Sequence, residues 1–175
     1  MKAVFLDRDG VINFCRVVEG KPYPPTGPET FELIPQSIEA CERLKNAGFV
    51  LVVVTNQPDV GRGTQQIEVL DEMHDIVRAR LPVDAIYVCT HGGDDQCDCR
   101  KPKPGMLTQA AKDLGIDLKA SYMVGDRWRD VDCGYAAGCQ TIFIDYHYDE
   151  HLRQQPDAVV SHLGEAADWI LSQGA

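Results

Sequence analysis

Two carboxylates stand two residues apart in Val4-Phe5-Leu6-Asp7-Arg8-Asp9-Gly10-Val11, just after a short apolar run, Ala3 to Leu6, that reads as a buried strand. Like charges this close repel unless something positive lies between them. Taken alone, the pair is equally well an acidic surface turn. Other apolar runs also end in polar residues. Thr55-Asn56-Gln57 follows Phe49 to Val54, and Gly125-Asp126-Arg127, with Asp130 behind it, follows Ser121 to Val124. Arg100 and Lys101 come after a further run, Asp84 to Val88. Acids, a hydroxyl, an amide and cations on one face suit a hard cation plus a phosphate. Carboxylate oxygens hold Mg²⁺, and Lys and Arg neutralise phosphoryl oxygens. A carboxylate can also attack phosphorus to form an aspartyl phosphate. A neighbouring acid can protonate the leaving oxygen and later activate water.

The chain has seven cysteines, many for 175 residues. In a reducing compartment they point to metal binding or catalysis before disulfides. Cys89, Cys97 and Cys99 cluster with His91, whereas Cys15, Cys41, Cys133 and Cys139 are scattered and read as small hydrophobes. Residues two apart in extended backbone point the same way, so Cys89/His91 and Cys97/Cys99 can meet one ion. Three thiolates and an imidazole suit tetrahedral Zn²⁺ in a closed, structural site. Such an ion would staple the loop 89–99 and position Arg100 and Lys101 without entering the chemistry. The bland alternative is a group of free thiols.

The elements that must position these residues alternate strand and helix. A helix is expected over 37–46, stopped by Gly48, and a buried strand over 49–54, rich in β-branched residues. A second helix, 65–80, repeats Ile67, Leu70, Met73, His74 and Val77 on one side, with His74 expected on its surface or behind the site. Strands follow at 84–88, 121–124, 141–144 and 158–160, with helices at 106–114, 128–137 and 163–171. This rhythm predicts a doubly wound α/β fold with a mostly parallel sheet. Right-handed crossovers put helices on both faces, and the carboxyl ends of neighbouring strands share one crevice. The stretch from Phe14 to about Pro35 holds Gly20, Pro22, Pro24, Pro25, Gly27 and Pro28 and shows no evident secondary structure. A loop of that length is usually functional, and it is expected to lie over the site.

Composition bounds the partners. The hydrophobic fraction of 44% supports one domain, 1–175, with an ordinary core. A formal net charge of -10 does not suit nucleic-acid binding, which rests on neutralising phosphates. Only four apolar residues separate Lys2 from Asp7, too few for a signal peptide, and no apolar run reaches membrane-spanning length. The expectation is a cytoplasmic protein acting on a small molecule, without nucleic acid or membrane, as a monomer.

Asp7-Arg8-Asp9-Gly10-Val11, Val54-Thr55-Asn56, Lys101-Pro102 and Gly125-Asp126 with Asp130 occur in the order found in the haloacid dehalogenase-like phosphohydrolases, and the chain resembles that family. The resemblance implies a Rossmannoid fold with Asp7 as nucleophile and Asp9 as general acid and base. It implies Thr55 and Lys101 on the phosphoryl group. It implies Mg²⁺ held by Asp7, the Asp9 carbonyl and Asp126, with Asp130 supporting the metal shell. Arg8 receives no role.

Asn13, Thr55-Asn56-Gln57, Arg62-Gly63, Cys97-Asp98-Cys99-Arg100-Lys101-Pro102 and Ser121-Tyr122-Met123-Val124-Gly125-Asp126 narrow the resemblance. They are similar to the D-glycero-D-manno-heptose 1,7-bisphosphate 7-phosphatases, whose close relatives are the histidinol-phosphate phosphatases. That implies a phosphatase for the 7-phosphate of a heptose bisphosphate in heptose and lipopolysaccharide biosynthesis, without a large cap domain. Substrate would be shaped by the loop 14–35, the segment after Gln57 and the zinc loop. Candidate substrate contacts are Asn13, Asn56, Gln57, Arg62, Arg100 and Arg127. Departures from the pattern lie where substrate would be selected: Pro58-Asp59-Val60-Gly61 after the glutamine, Arg127 after the aspartate, Lys21-Pro22-Tyr23, a short zinc loop and an unusual segment from Tyr146 to His151.

Histidinol phosphate is the competing substrate. A phospho-acceptor signalling domain also combines an acidic cluster, Mg²⁺ and a phosphorylated aspartate, but would carry its acceptor on a middle strand of the sequence. A zinc-stapled binding protein without catalysis would not need Asp7, Asp9, Lys101 and Asp126 together.

Overall fold

The computed structural model describes residues 1–174. The apolar run that precedes Asp7 forms β1 (Ala3–Leu6). Next come a small hairpin, β2 (Arg16–Val18) and β3 (Lys21–Tyr23), then α1 (Pro35–Asn46), β4 (Val50–Asn56), a single turn α2 (Pro58–Gly61) and α3 (Ile67–Arg80). The chain continues through β5 (Ala85–Cys89), α4 (Gly105–Leu114), β6 (Tyr122–Gly125), α5 (Trp128–Ala137), β7 (Gln140–Ile144), β8 (Ala158–Val160) and α6 (Leu163–Gln173).

Six strands form one sheet in the order β5-β4-β1-β6-β7-β8, and every neighbouring pair is parallel. Side chains alternate between its faces. Val4, Leu6, Leu51 and Val53 enter the core beneath α1, α3 and α6. Ala3, Phe5, Val52 and Val54 enter the other, with Met106, Leu107 and Ala110 of α4 and Cys133 of α5. Burial on both faces explains why these strands are continuous apolar runs. The chain leaves β1 towards β4 and β5, then returns to β6 on the opposite side. The strand order therefore reverses around β1, and a crevice opens at the carboxyl ends of β4, β1 and β6. The fold is Rossmannoid, and the described residues form no cap domain.

One local expectation fails and another is narrowed. The segment 14–35 is not irregular throughout. Val17 and Val18 pair antiparallel with Pro22 and Lys21. Glu19 and Gly20 between them take positive φ values of 50° and 74°, the signature of a tight hairpin turn that matches strand twist. The density of prolines concealed the short β-branched run. His74 takes the second of its two expected places, behind the site and not on the helix surface: it is 1% exposed and faces Arg8. No helix among the described residues is long and apolar enough to cross a membrane.

Candidate active site

Asp7 continues β1, and its backbone N–H donates to the Val124 carbonyl of β6 at 3.0 Å. Its Oδ1 accepts from Lys101 Nζ and from the Arg8 N–H, both at 2.9 Å. Lys101 is 2% exposed. Its ammonium also donates to Asp130 Oδ1 at 2.7 Å and to the Val54 carbonyl at 2.9 Å, so each of its protons has an acceptor. Burial disfavours its charge, but Asp130 and Asp7 outweigh burial and raise its pKa. Asn56 fixes the lysine backbone from both sides: its Oδ1 accepts the Lys101 N–H at 3.0 Å and its Nδ2 donates to the Lys101 carbonyl at 3.1 Å.

Asp126 and Asp130 complete a buried carboxylate centre. Asp7, Asp126 and Asp130 each offer an oxygen within 4.8 Å of the others. Burial and the nearby Asp130 push Asp7 up to about 6, and burial with Asp7 and Asp130 raises Asp126 well above the usual carboxylate range. Asp126 Oδ2 accepts from the Tyr148 hydroxyl at 2.7 Å, while Oδ1 is buried with no hydrogen-bond partner. Gly10 makes this approach possible: its φ is +82°, and a Cβ there would lie 2.1 Å from Asp126 Oδ2. Three crowded carboxylates against one ammonium, with one oxygen orphaned, fit a hard divalent cation.

Asp9 lies in different company. Its Oδ1 accepts from Arg8 Nε and Nη2 at 3.0 and 2.7 Å and from Asn13 Nδ2 at 3.0 Å, and its Oδ2 accepts from Gln57 Nε2 at 3.0 Å. Burial raises its pKa, but the Arg8 guanidinium and these donors win and hold it below the usual range. Arg8 is wholly buried, stacks 5.5 Å from the Phe31 ring centre and donates to His74 Nε2 at 3.2 Å. A guanidinium has no lone pair, so His74 accepts and stays neutral there. Burial and then Arg8 depress its pKa to about 4.

A cavity of about 490 Å³ opens over Asp7 and Asp9. Asn56, Gln57, Arg62, Arg100, Lys101, Asp126, Arg127 and Asp130 line it, together with Tyr23, Pro22 and Pro24 of the hairpin and with Arg129. Asn13 and Thr55 lie beneath it and are fully buried. Asn13 holds Asp9, and the Thr55 hydroxyl accepts from Gln57 at 2.9 Å. Arg127 reaches the rim but is tied to Glu150 at 2.9 Å, and Arg62 is paired with Asp59 at 3.3 Å. Sequence reasoning missed Arg129, Tyr146, Tyr148 and Glu150. The one available signal was the unusual composition of 146–151.

Cys89, His91, Cys97 and Cys99 also converge, each offering one atom within 4.8 Å of the others. Cys89 Sγ lies 3.4 Å from His91 Nδ1, 2.9 Å from Cys99 Sγ and 3.9 Å from Cys97 Sγ. These four could chelate a metal. Arg100 Nη1 donates to the His91 carbonyl at 3.2 Å, which ties the cluster to the cavity rim.

Known proteins match both halves. The HAD-hydrolase-like family model covers residues 98–166. The D-glycero-β-D-manno-heptose-1,7-bisphosphate 7-phosphatase of Pseudomonas aeruginosa is 42% identical over 146 residues, covering 81% of this chain and 79% of its own. The enzyme of the same name from Escherichia coli K12 is 39% identical over 182 aligned positions, covering 97% and 88%. The chain is a haloacid dehalogenase-like phosphatase. Among solved structures, D,D-heptose 1,7-bisphosphate phosphatase from B. bronchiseptica, complexed with magnesium and phosphate, superposes with a TM-score of 0.85 at 33% identity, covering 99% of both chains. The phosphatase thus shares fold, length and the order of its elements with that protein.

Proposed function

We propose that this phosphatase removes the 7-phosphate of D-glycero-D-manno-heptose 1,7-bisphosphate in the cytoplasm, as a monomer, with Mg²⁺ at the carboxylate centre and Zn²⁺ at the thiol cluster. The observation that carries the reaction is the buried set Asp7, Lys101, Asp126 and Asp130 beneath a cavity rimmed by arginines. The relatives' names and the magnesium–phosphate complex support the substrate and the ion.

A carboxylate oxygen of Asp7 attacks phosphorus in line, the phosphorus–oxygen bond to the sugar breaks, and an aspartyl phosphate forms. Lys101 holds Asp7 in place and offers its charge to the phosphoryl oxygens. Asp9 gives a proton to the departing sugar oxygen, then takes one from the water that cleaves the aspartyl phosphate. Asp9 is ionised while Arg8 clamps it, so it must acquire its proton as substrate binds. A phosphate dianion arriving in the cavity raises its pKa in that direction. Mg²⁺ would sit on Asp7, the Asp9 carbonyl and Asp126, with Asp130 behind, and would neutralise charge on the phosphoryl group. Zn²⁺ on Cys89, His91, Cys97 and Cys99 would hold the loop that carries Arg100 and Lys101.

Phosphate release with Mg²⁺ tests this reading. Both anomers of the heptose bisphosphate and histidinol phosphate are compared at steady state. The heptose bisphosphate is expected to have the highest kcat/KM. A preference for histidinol phosphate, or no release from either, overturns the substrate assignment.

A further inference from the structure

The segment after β7 reaches back across the active site. Tyr146 and Tyr148 stand two residues apart, with ring centres 5.6 Å from each other. The Tyr146 hydroxyl donates to the Gly10 carbonyl at 2.7 Å, and the Tyr148 hydroxyl donates to Asp126 Oδ2 at 2.7 Å. His147 between them has φ +57°, an unfavourable conformation for a residue with a Cβ. Asp145 supports it by accepting the His147 N–H at 2.8 Å. Beyond Tyr148, Glu150 accepts from Arg127 Nε at 2.9 Å and from the Trp128 N–H at 3.0 Å. The segment is thus pinned on both sides of Tyr148.

This arrangement divides the two oxygens of Asp126. Oδ2 is capped by a phenol, and Oδ1 is buried and without a partner. We infer that Tyr148 is a positioning residue that restricts Asp126 to one-oxygen metal binding and so favours Mg²⁺ over Ca²⁺. The inference rests on the Mg²⁺ site proposed above. Mg²⁺ demands near-octahedral geometry and takes few carboxylate oxygens. Ca²⁺ accepts more ligands and takes carboxylates through one oxygen or both. A phenolic donor on Oδ2 opposes the two-oxygen mode. A carboxylate freed from it can turn and offer both oxygens.

Isothermal titration of Mg²⁺ and of Ca²⁺, each alone, into Mg²⁺-free native protein and its Tyr148→Phe variant tests this. The phenylalanine keeps the ring against Tyr146 and Arg127 and removes only the donor. The ratio of the Ca²⁺ to the Mg²⁺ dissociation constant is expected to fall about tenfold in the variant, in the range of outer-shell effects. Glu150→Ala, which loosens the segment without touching Asp126, is expected to lower the ratio in the same direction by less. A ratio within twofold of native in both variants overturns the inference while the Mg²⁺ site stands. If the native protein binds neither ion, the proposed site itself is wrong. A general loss of structure would weaken both ions together and leave the ratio unmoved, which also counts against Tyr148.

Discussion

Only Arg100 separates Cys99 of the thiol cluster from Lys101 of the carboxylate centre, yet the two sites are assembled in different ways. The carboxylate centre draws Asp7 from β1, Lys101 from a loop, and Asp126 and Asp130 from the end of β6 and the start of α5. It exists only when the sheet exists, and its charges are crowded and buried. The thiol cluster draws its four residues from 89–99, and only Cys89 is fully buried. Its ordering is local. The proposed catalytic centre stores electrostatic tension, and the loop beside it stores geometry. Each should therefore fail in its own way.

The largest effect comes from Asp7→Asn. Removing the proposed nucleophile should lower phosphate release by about four orders of magnitude or more. The same change removes one of three mutually repelling carboxylates, whose pKa is raised to about 6. Without added Mg²⁺ at neutral pH, the variant should be more stable to denaturant by about 1–3 kcal/mol. Loss of activity together with loss of stability would break the claim that this centre is strained.

Cys97→Ser on the other side should act through position alone. Weakening the proposed metal-holding set is expected to lower kcat/KM by roughly 10- to 100-fold, because Arg100 and Lys101 lose their anchor. Mg²⁺ affinity, read by titration, should change by no more than about threefold, since outer-shell effects fade without contact. An equal loss of Mg²⁺ binding would show that the two sites are one cooperative unit.

How much of this was legible in the sequence follows the same division. Cys89, His91, Cys97 and Cys99 lie close enough for spacing to suggest one ion. Asp7, Lys101 and Asp126 could be joined only through the strand rhythm and the order of the family's motifs, which placed Asp7 and Asp126 at carboxyl ends and Lys101 in the segment after a strand. The apolar runs made that rhythm plain, and the doubly wound sheet follows from it. Contacts that depend on side-chain direction were not legible. Asn13 and Gln57 were expected at the substrate; both side chains hold Asp9, and of the two only Gln57 also lines the cavity. Arg8 showed no role until burial placed it between Asp9 and His74. Tyr148 approaches Asp126 from 22 residues away, through a left-handed turn at a histidine that no local pattern announces.

Asn56 joins the two regions. Its side chain makes two hydrogen bonds to the backbone of Lys101 and none to the carboxylates. Asn56→Ala should destabilise the protein by about 1–3 kcal/mol, because the Lys101 N–H and carbonyl lose partners in a partly buried place. Turnover should fall about tenfold through misplacement of the ammonium. Thermal unfolding alongside steady-state kinetics separates the two effects. An unchanged kcat would mean that Asp7, Asp130 and the Val54 carbonyl hold Lys101 without Asn56.

The effect that is smallest at neutral pH, and develops only on acidification, probes how far the buried charge network extends behind Asp9. His74 is neutral in the fold, with a pKa lowered to about 4 from an ordinary value near 6.5. A group with a depressed cationic pKa binds its proton in the unfolded chain first. Its contribution is therefore complete above pH 6.5 and is lost as pH falls towards 4, at about 1.4 kcal/mol per pH unit. His74→Gln cannot titrate but can still accept from Arg8. Relative to native protein, its unfolding free energy should fall less steeply between pH 6.5 and 4, a difference reaching about 3 kcal/mol. Asp7 pulls the other way over part of this range, because its raised pKa favours the fold on acidification. The comparison must therefore be native against variant at each pH, where the Asp7 contribution cancels. Parallel curves would mean that neither burial nor the Arg8 charge holds His74 neutral in the fold, and that the tension ends at Asp9.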